Sequence, residues 1–196
     1  MINKNFISNY FDSVSKVITN LNNHEDKIIN IIEKIKLCNE NGNKVLIAGN
    51  GGSCADAEHF AGELICTFNN RNRKGISAIP LGTHPAAITA WSNDFGFESY
   101  FERQIESNGK EGDLLFLLST GGGNLKNKAS VNLVYAAQKA TKKKITVISL
   151  VGKDGGELKK ISDISIHVEN NDTSIIQEAH MSILHCICIG LDSTLS

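Results

Sequence analysis

The stretch KVLIAGNGGS, Lys44 to Ser53, decides the fold. It opens with Val45, Leu46, Ile47 and Ala48 and then breaks into Gly49-Asn50-Gly51-Gly52-Ser53. A short continuous apolar run closed by glycines reads as a strand buried on both faces. Residues from Cys54 to about Thr67 read as a helix, so the glycines form a strand-to-helix turn. The same pattern recurs downstream. Asp113 to Leu118 (DLLFLL) runs into Ser119-Thr120-Gly121-Gly122-Gly123, and a helix is expected from there through Ala140. Ile145 to Leu150 (ITVISL) runs into Gly152-Lys153-Asp154-Gly155-Gly156. Ile76 to Ile79 and Ile164 to Val168 read as further strands. Thr83-His84-Pro85 opens another helix, because proline suits a first turn. Thr173 to about Leu191 is the last helix, with Asp172 or Thr173 as its cap. Apolar strands alternating with helices predict a parallel sheet covered on both faces. In such sheets the loops at the carboxyl ends of the strands form the ligand crevice.

Before the first strand, residues from about 5 to 41 read as helical, as one helix or as two broken at Asn20 to Asn23. Ile28, Ile29, Ile31, Ile32, Ile35 and Leu37 recur at helical spacing, and Gly42 supplies a stop. This stripe must be buried against its own domain or against another subunit. No repeat, low-complexity tract or linker divides the chain, so residues 1–196 are expected to be a single domain. Within it, 1–42 is a helical arm and 43–196 an α/β core.

Composition narrows the function classes. The chain has 196 residues, 41% of them hydrophobic, which suffices for one packed domain. Twenty basic residues against 21 acidic ones leave a formal charge of −1, which offers no overall footprint for nucleic acid or an acidic membrane. Lys142-Lys143-Lys144 falls at a helix-to-strand junction, where cations favour a helix C-terminus. No secretory pattern opens the chain, and no apolar stretch reaches the length needed to span a bilayer. Cys38, Cys54, Cys66, Cys186 and Cys188 are odd in number and irregularly spaced, so a reducing cytoplasm is the expected compartment. Cys186 and Cys188 face different directions on one helix, which fits small core residues better than a metal pair.

Two loops carry a phosphate argument. Glycines let backbone amides approach an anion closely, and a helix N-terminus presents unpaired N–H groups. Gly49 to Ser53 and Ser119 to Gly123 both offer this, with hydroxyls from Ser53, Ser119 and Thr120. Neither loop has the lysine of a nucleotide-binding P-loop, and neither reads G-x-G-x-x-G, so a nucleotide is not the first expectation. Just beyond the first loop, His59 and Glu63 lie four apart and share a helix face. Imidazole and carboxylate are good zinc ligands, although such a pair alone more often makes a surface hydrogen bond. On the last helix, Gln177 and His185 are separated by roughly 80° around the axis and can lean into one cleft. Glu178 and His180 point elsewhere and read as helix surface. His84 reads as a structural cap, and His24 and His167 as surface positions.

These residues together resemble the bacterial phosphoheptose isomerases of the sugar isomerase (SIS) family. The signature is Gly49-Asn50-Gly51-Gly52-Ser53 followed by Asp56, His59 and Glu63. Asn93-Asp94-Phe95-Gly96-Phe97-Glu98, Gly112-Asp113 with the strand into Ser119-Thr120, and Ile176-Gln177-Glu178 with His180 and His185 match three further segments. The resemblance runs from about residue 45 to 190, and the helical arm also fits. It implies a three-layer Rossmann-like fold with a five-stranded parallel sheet. It implies a homotetramer with active sites at subunit interfaces, and one zinc per subunit held by His59, Glu63, Gln177 and His185. It implies substrate contacts at Asn50, Gly51, Gly52, Asn93, Asp94, Ser119 and Thr120, with Ser53 a phosphate neighbour by position. The chain reads Ser119-Thr120-Gly121-Gly122-Gly123-Asn124 where the family has Ser-Thr-Ser-Gly-Asn-Ser, so Gly121 and Asn124 stand at two serine positions of the phosphate loop. Each lost hydroxyl donor costs on the order of 1 kcal/mol if its partner stays unpaired.

The activity so implied is isomerisation of sedoheptulose 7-phosphate to D-glycero-D-manno-heptose 7-phosphate, with Glu63 and His185 as the acid/base pair. Its product would feed heptose precursors of lipopolysaccharide or capsule. The alternative is a non-catalytic scaffold of the same fold that binds a bacterial replication initiator. Retention of all four zinc-ligand types favours catalysis. A sugar-phosphate-sensing regulator is a third reading, disfavoured because no DNA-binding helical domain precedes the sheet.

Overall fold

The computed structural model describes residues 4–195. Five parallel strands form one sheet in the order β2-β1-β3-β4-β5, where β1 is Val45–Gly49, β2 Ala78–Pro80, β3 Leu114–Ser119, β4 Thr146–Val151 and β5 Ile164–His167. Every residue of β1 and β3 is buried, as continuous apolar runs require of central strands. The strand expected at Ile76 to Ile79 lies two residues later. The Ile76 amide donates to the Leu64 carbonyl at 2.9 Å, and pairing with β1 begins only after it. Pro80 is tolerated because β2 is an edge strand.

The helical arm divides into α1 (Asn5–Asn20) and α2 (Glu25–Glu40), joined by one 3₁₀ turn over Leu21–His24. Ile28, Ile31, Ile35 and Cys38 are the buried stripe of α2. They join α3 (Gly52–Ile65) and α8 (Thr173–Thr194) on one face of the sheet. The other face is covered by α5 (Tyr100–Asn108), α6 (Val131–Lys142) and α7 (Leu158–Ile161), beside the exposed α4 (Pro85–Phe95). The three-layer α/β expectation therefore holds. Helix α5, to which the sequence reading assigns nothing, buries only Tyr100, Phe101 and Ile105. Lys143 donates to the Ile105 and Glu106 carbonyls at 3.3 and 2.8 Å, so the lysine run neutralises the end of α5. Asp113, fully buried, accepts from the Lys44 amide and ammonium at 3.0 and 2.7 Å and from the Lys110 amide at 2.8 Å, fixing the starts of β1 and β3.

Three expectations need correction. Helix α8 is, by length and composition alone, apolar enough to cross a membrane, contrary to the reading that no stretch is; half of its apolar window is buried in the core. Cys186 and Cys188 do face different ways, but only Cys188 is buried; Cys186 is exposed. His180 does not lie on the helix surface. It is fully buried, among the inward residues of α8 with Ile176, Ile183 and Leu184.

Candidate active site

Helix α3 starts directly at the end of β1, because Gly51 adopts φ 57° and lets the chain reverse into Gly52. The turn is tight: the Ser53 amide donates to the Asn50 carbonyl at 3.1 Å, and the Cys54 amide to Gly51 at 3.0 Å. Two turns along α3 the His59 side chain is partly exposed, with its Nε2 3.5 Å from Glu63 Oε1. Across the groove, α8 brings His185 Nε2 to 3.2 Å from His59 Nε2. The ring of Phe68 stacks on His185, with centroids 5.4 Å apart. Gln177, two turns before His185, lies against the first turn of α3, where a Cβ on Gly52 would collide with the Gln177 Nε2. A side chain at position 52 would have to push the Gln177 amide aside, so Gly52 leaves that amide its place beside the loop.

Two imidazole nitrogens at 3.2 Å can share one proton, one donating and one accepting, or one cation. For tetrahedral zinc with ligand bonds of about 2.0–2.2 Å, ligand atoms stand roughly 3.3–3.5 Å apart. The His59–Glu63 edge, at 3.5 Å, has that length, and the His59–His185 edge, at 3.2 Å, falls just short of it. Among the described residues no three His, Cys, Asp or Glu side chains form a complete metal-holding group. The expected fourth ligand, Gln177, is an amide and lies outside such a set. The donor chemistry therefore fits zinc, with a cage that closes only when side chains adjust.

Asp56 stands one turn before His59. Burial pushes its carboxyl above the ordinary carboxylate range, while His59 opposes the shift and Glu178 adds to it. Its Oδ2 is buried without a hydrogen-bond partner. Glu178 is exposed, as expected of helix surface. His84 is the N-cap of α4, its Nδ1 accepting from the Ala87 amide at 3.3 Å. His24 and His167 are half-buried rather than surface, and line one pocket between the arm and β5.

The second loop differs from its expectation. No helix starts at Gly123; α6 begins only at Val131. Gly122 and Gly123 adopt φ 68° and 79°, and Lys128 and Ser130 adopt φ 60° and 49°, conformations that a helix cannot continue. Asn124 accepts from the Lys126 and Asn127 amides at 2.8 and 3.2 Å, so it organises its own turn and does not head a helix. The residue preceding α6 is Ser130, which sequence reasoning missed because the intervening stretch, Gly123 to Ala129, looks helical only by default. Ser119 is buried, and its Oγ accepts from the Gly122 amide at 3.0 Å. Thr120 and Gly121 follow it, half-buried.

The two loops meet through side-chain amides. Asn50 and Asn132 exchange two hydrogen bonds of 2.9 Å each, tying the first loop to the first turn of α6. A concave pocket here is lined by Asn50, Phe97, Glu98, Lys128, Ser130 and Asn132. Asn93 and Asp94 lie exposed near the end of α4, joined by a 2.8 Å hydrogen bond, and no side-chain bond links them to the histidine pair.

A family model described as the SIS domain matches residues 9–152. A phosphoheptose isomerase of Helicobacter hepaticus is 46% identical over 79% of this chain and 75% of its own length. One of Aliarcobacter butzleri is 39% identical over 94% and 93%. The structure of a phosphoheptose isomerase from Francisella tularensis superposes with a TM-score of 0.90 at 32% identity, covering 99% of this chain and 100% of that one. Similarity thus extends along the sequence and over the whole fold, and the chain belongs to the SIS domain family and, within it, to the phosphoheptose isomerases, which are isomerase enzymes.

Proposed function

We propose that the chain interconverts sedoheptulose 7-phosphate and D-glycero-D-manno-heptose 7-phosphate in the cytoplasm, as a step toward heptose precursors of lipopolysaccharide or capsule. The observation that carries this reading is the meeting of Glu63, His59 and His185 from two helices beside the glycine loops. Free cysteines at all five positions accord with the compartment.

Isomerisation moves one proton between adjacent carbons through an enediol. Glu63 and His185 are the acid/base pair. The proton taken from C1 of the ketose returns to C2, and the proton given to the C2 oxygen is recovered from the C1 hydroxyl, so no oxidant or reductant is consumed. His59, Glu63, Gln177 and His185 would hold one zinc, which supplies Lewis-acid polarisation of the sugar oxygens when bound. The amides of Asn50, Gly51 and Gly52, with Ser53, Ser119, Thr120 and Gly121, receive the phosphate end. Lys128 and Ser130, at the start of α6, supply the charge and hydroxyl that Gly121 and Asn124 do not. Asn93 and Asp94 complete the substrate contacts in the homotetramer, where active sites lie at subunit interfaces.

Glu63→Gln and His185→Ala test the assignment on sedoheptulose 7-phosphate. Each is expected to lower kcat about 10²- to 10⁴-fold, the usual worth of general acid/base catalysis, with an unchanged circular dichroism spectrum. Near-normal turnover in both folded variants refutes it. Removal of metal by a chelator is expected to abolish turnover and zinc addition to restore it; full activity in metal-free protein refutes the zinc assignment.

A further inference from the structure

A buried ion pair that takes no part in the proposed proton transfers sits at the far ends of α3 and α8. Arg73 and Asp192 are both almost fully buried, and the Arg73 Nε donates to Asp192 Oδ1 at 2.5 Å. The rest of the guanidinium is also used. Its Nη2 donates to the Glu63 carbonyl at 2.6 Å, and its Nη1 to the Leu64 and Lys74 carbonyls at 3.0 Å each. Arg73 therefore grips the last turn of α3 by the backbone of Glu63 itself. The other carboxylate oxygen of Asp192 accepts from the amides of Asn69, over a very short contact, and Asn70, at 2.8 Å. Those amides directly follow Phe68, whose ring lies stacked on His185.

We propose that Arg73 and Asp192 are positioning residues for the isomerisation: one latch that sets Glu63 through its carbonyl and His185 through Phe68. This rests on Glu63 and His185 being the acid/base pair. Apolar side chains could fill the same volume at equal stability, since a buried ion pair recovers little beyond its own desolvation. What apolar packing lacks is direction. The bonds from one planar guanidinium to Asp192 on α8 and to the Glu63 and Leu64 carbonyls on α3 define the axial setting of the two helices, and a misplacement near 1 Å can cost about 10²-fold in rate. The first glycine loop opens α3 at the end opposite this latch, so substrate binding is separable from it.

The double substitution Arg73→Met/Asp192→Leu keeps volume and removes direction. In the metal-loaded enzyme it is expected to unfold within a few degrees of the parent, to lower kcat at least tenfold and to leave KM within threefold. Carbon-13-labelled histidine gives a second reading, in which the His185 ring signal moves toward its position in Phe68→Leu. A folded double variant with kcat within threefold of the parent, or with its loss carried by KM, overturns the proposal. An unmoved His185 signal does the same. Should the double variant not fold, Arg73→Lys and Phe68→Leu take its place, each expected to lower kcat at least threefold at constant KM; unchanged kcat in both overturns it. Glu63→Gln and His185→Ala run alongside. Turnover retained in those two sinks the acid/base assignment, whereas the His185 signal reports on the latch independently.

Discussion

His180 is fully buried, and its ring nitrogens make no hydrogen bond of good geometry among the described residues; the Val151 backbone nearby only partly offsets the burial. Burial accordingly lowers its pKa from 6.5 to about 4. The sign follows from linkage. The unfolded chain takes up a proton on this ring below about pH 6.5, and the folded chain cannot until about pH 4. Stability is therefore complete above pH 6.5, falls through that window and levels off below it, a span worth on the order of 3 kcal/mol. Asp56, whose carboxyl burial pushes up, acts with the opposite sign and offsets part of the loss. Replacing the ring by an apolar side chain removes an unsatisfied group as well as the titration. Urea unfolding of His180→Leu between pH 7 and pH 4 should show a flatter decline than the parent, by up to about 3 kcal/mol. Parallel curves for the two proteins would contradict the buried neutral ring. Gly121 poses a different residue-scale test. A Cβ there meets nothing within 4 Å, so a serine fits without strain. Gly121→Ser restores one hydroxyl donor to the phosphate loop and should lower KM for the sugar phosphate by roughly threefold to tenfold, the worth of one hydrogen bond. An unchanged or raised KM in steady-state assays would place the phosphate elsewhere.

At the scale of elements, the loops after β3 and β4 are knitted together. The Glu157 and Leu158 amides donate to the Gly123 and Gly122 carbonyls at 3.0 and 2.8 Å. Gly122 has φ 68°, and a Cβ there would run into the Gly155 carbonyl. Gly122→Ala should cost about 2 kcal/mol or more, from left-handed strain plus backbone displacement, and raise KM as the loop shifts. Gly121→Ala, one residue away in open space, should cost under about 1 kcal/mol, and equal thermal shifts in the two variants would contradict this account. This contrast also marks what the sequence makes legible. The strands, the Gly49 to Ser53 turn and the His59–Glu63 pair rest on spacing within one element, and spacing is local. Convergence of His185 on that pair, with Gln177 expected to join it, follows from family resemblance, because helix geometry alone says only that the two can lean one way. Ser130 stayed hidden because two left-handed residues, Lys128 and Ser130, delay α6 past the glycines, and neither type advertises that conformation. The burial of His180 depends on which face of α8 meets the sheet. The Arg73–Asp192 pair spans 119 positions of sequence and follows from no local pattern.

For the molecule as a whole, the arm raises a question that the single chain leaves open. Helix α1 has no buried residue, although Val17, Ile18 and Leu21 near its end lean on the core. Its first half presents Phe6, Ile7 and Phe11 at 66%, 53% and 63% exposure. Scattered apolar residues on a surface need no explanation, but a cluster with two aromatic rings marks a contact. A second copy of the chain is the partner that a self-complementary helical face fits, in keeping with the proposed homotetramer. Each phenylalanine buried in such an interface contributes about 1.5–3 kcal/mol, repeated in every copy. Replacing two of them with charges should then break the assembly while leaving the sheet and its two cores intact. Phe6→Asp/Phe11→Asp is expected to elute as a smaller species by size exclusion with light scattering, with secondary structure preserved by circular dichroism. If active sites lie between subunits, turnover falls along with the mass, and raising the protein concentration recovers both together. A parent protein that is monomeric at micromolar concentration, or a charged variant that keeps the parent mass, would remove the arm from the interface.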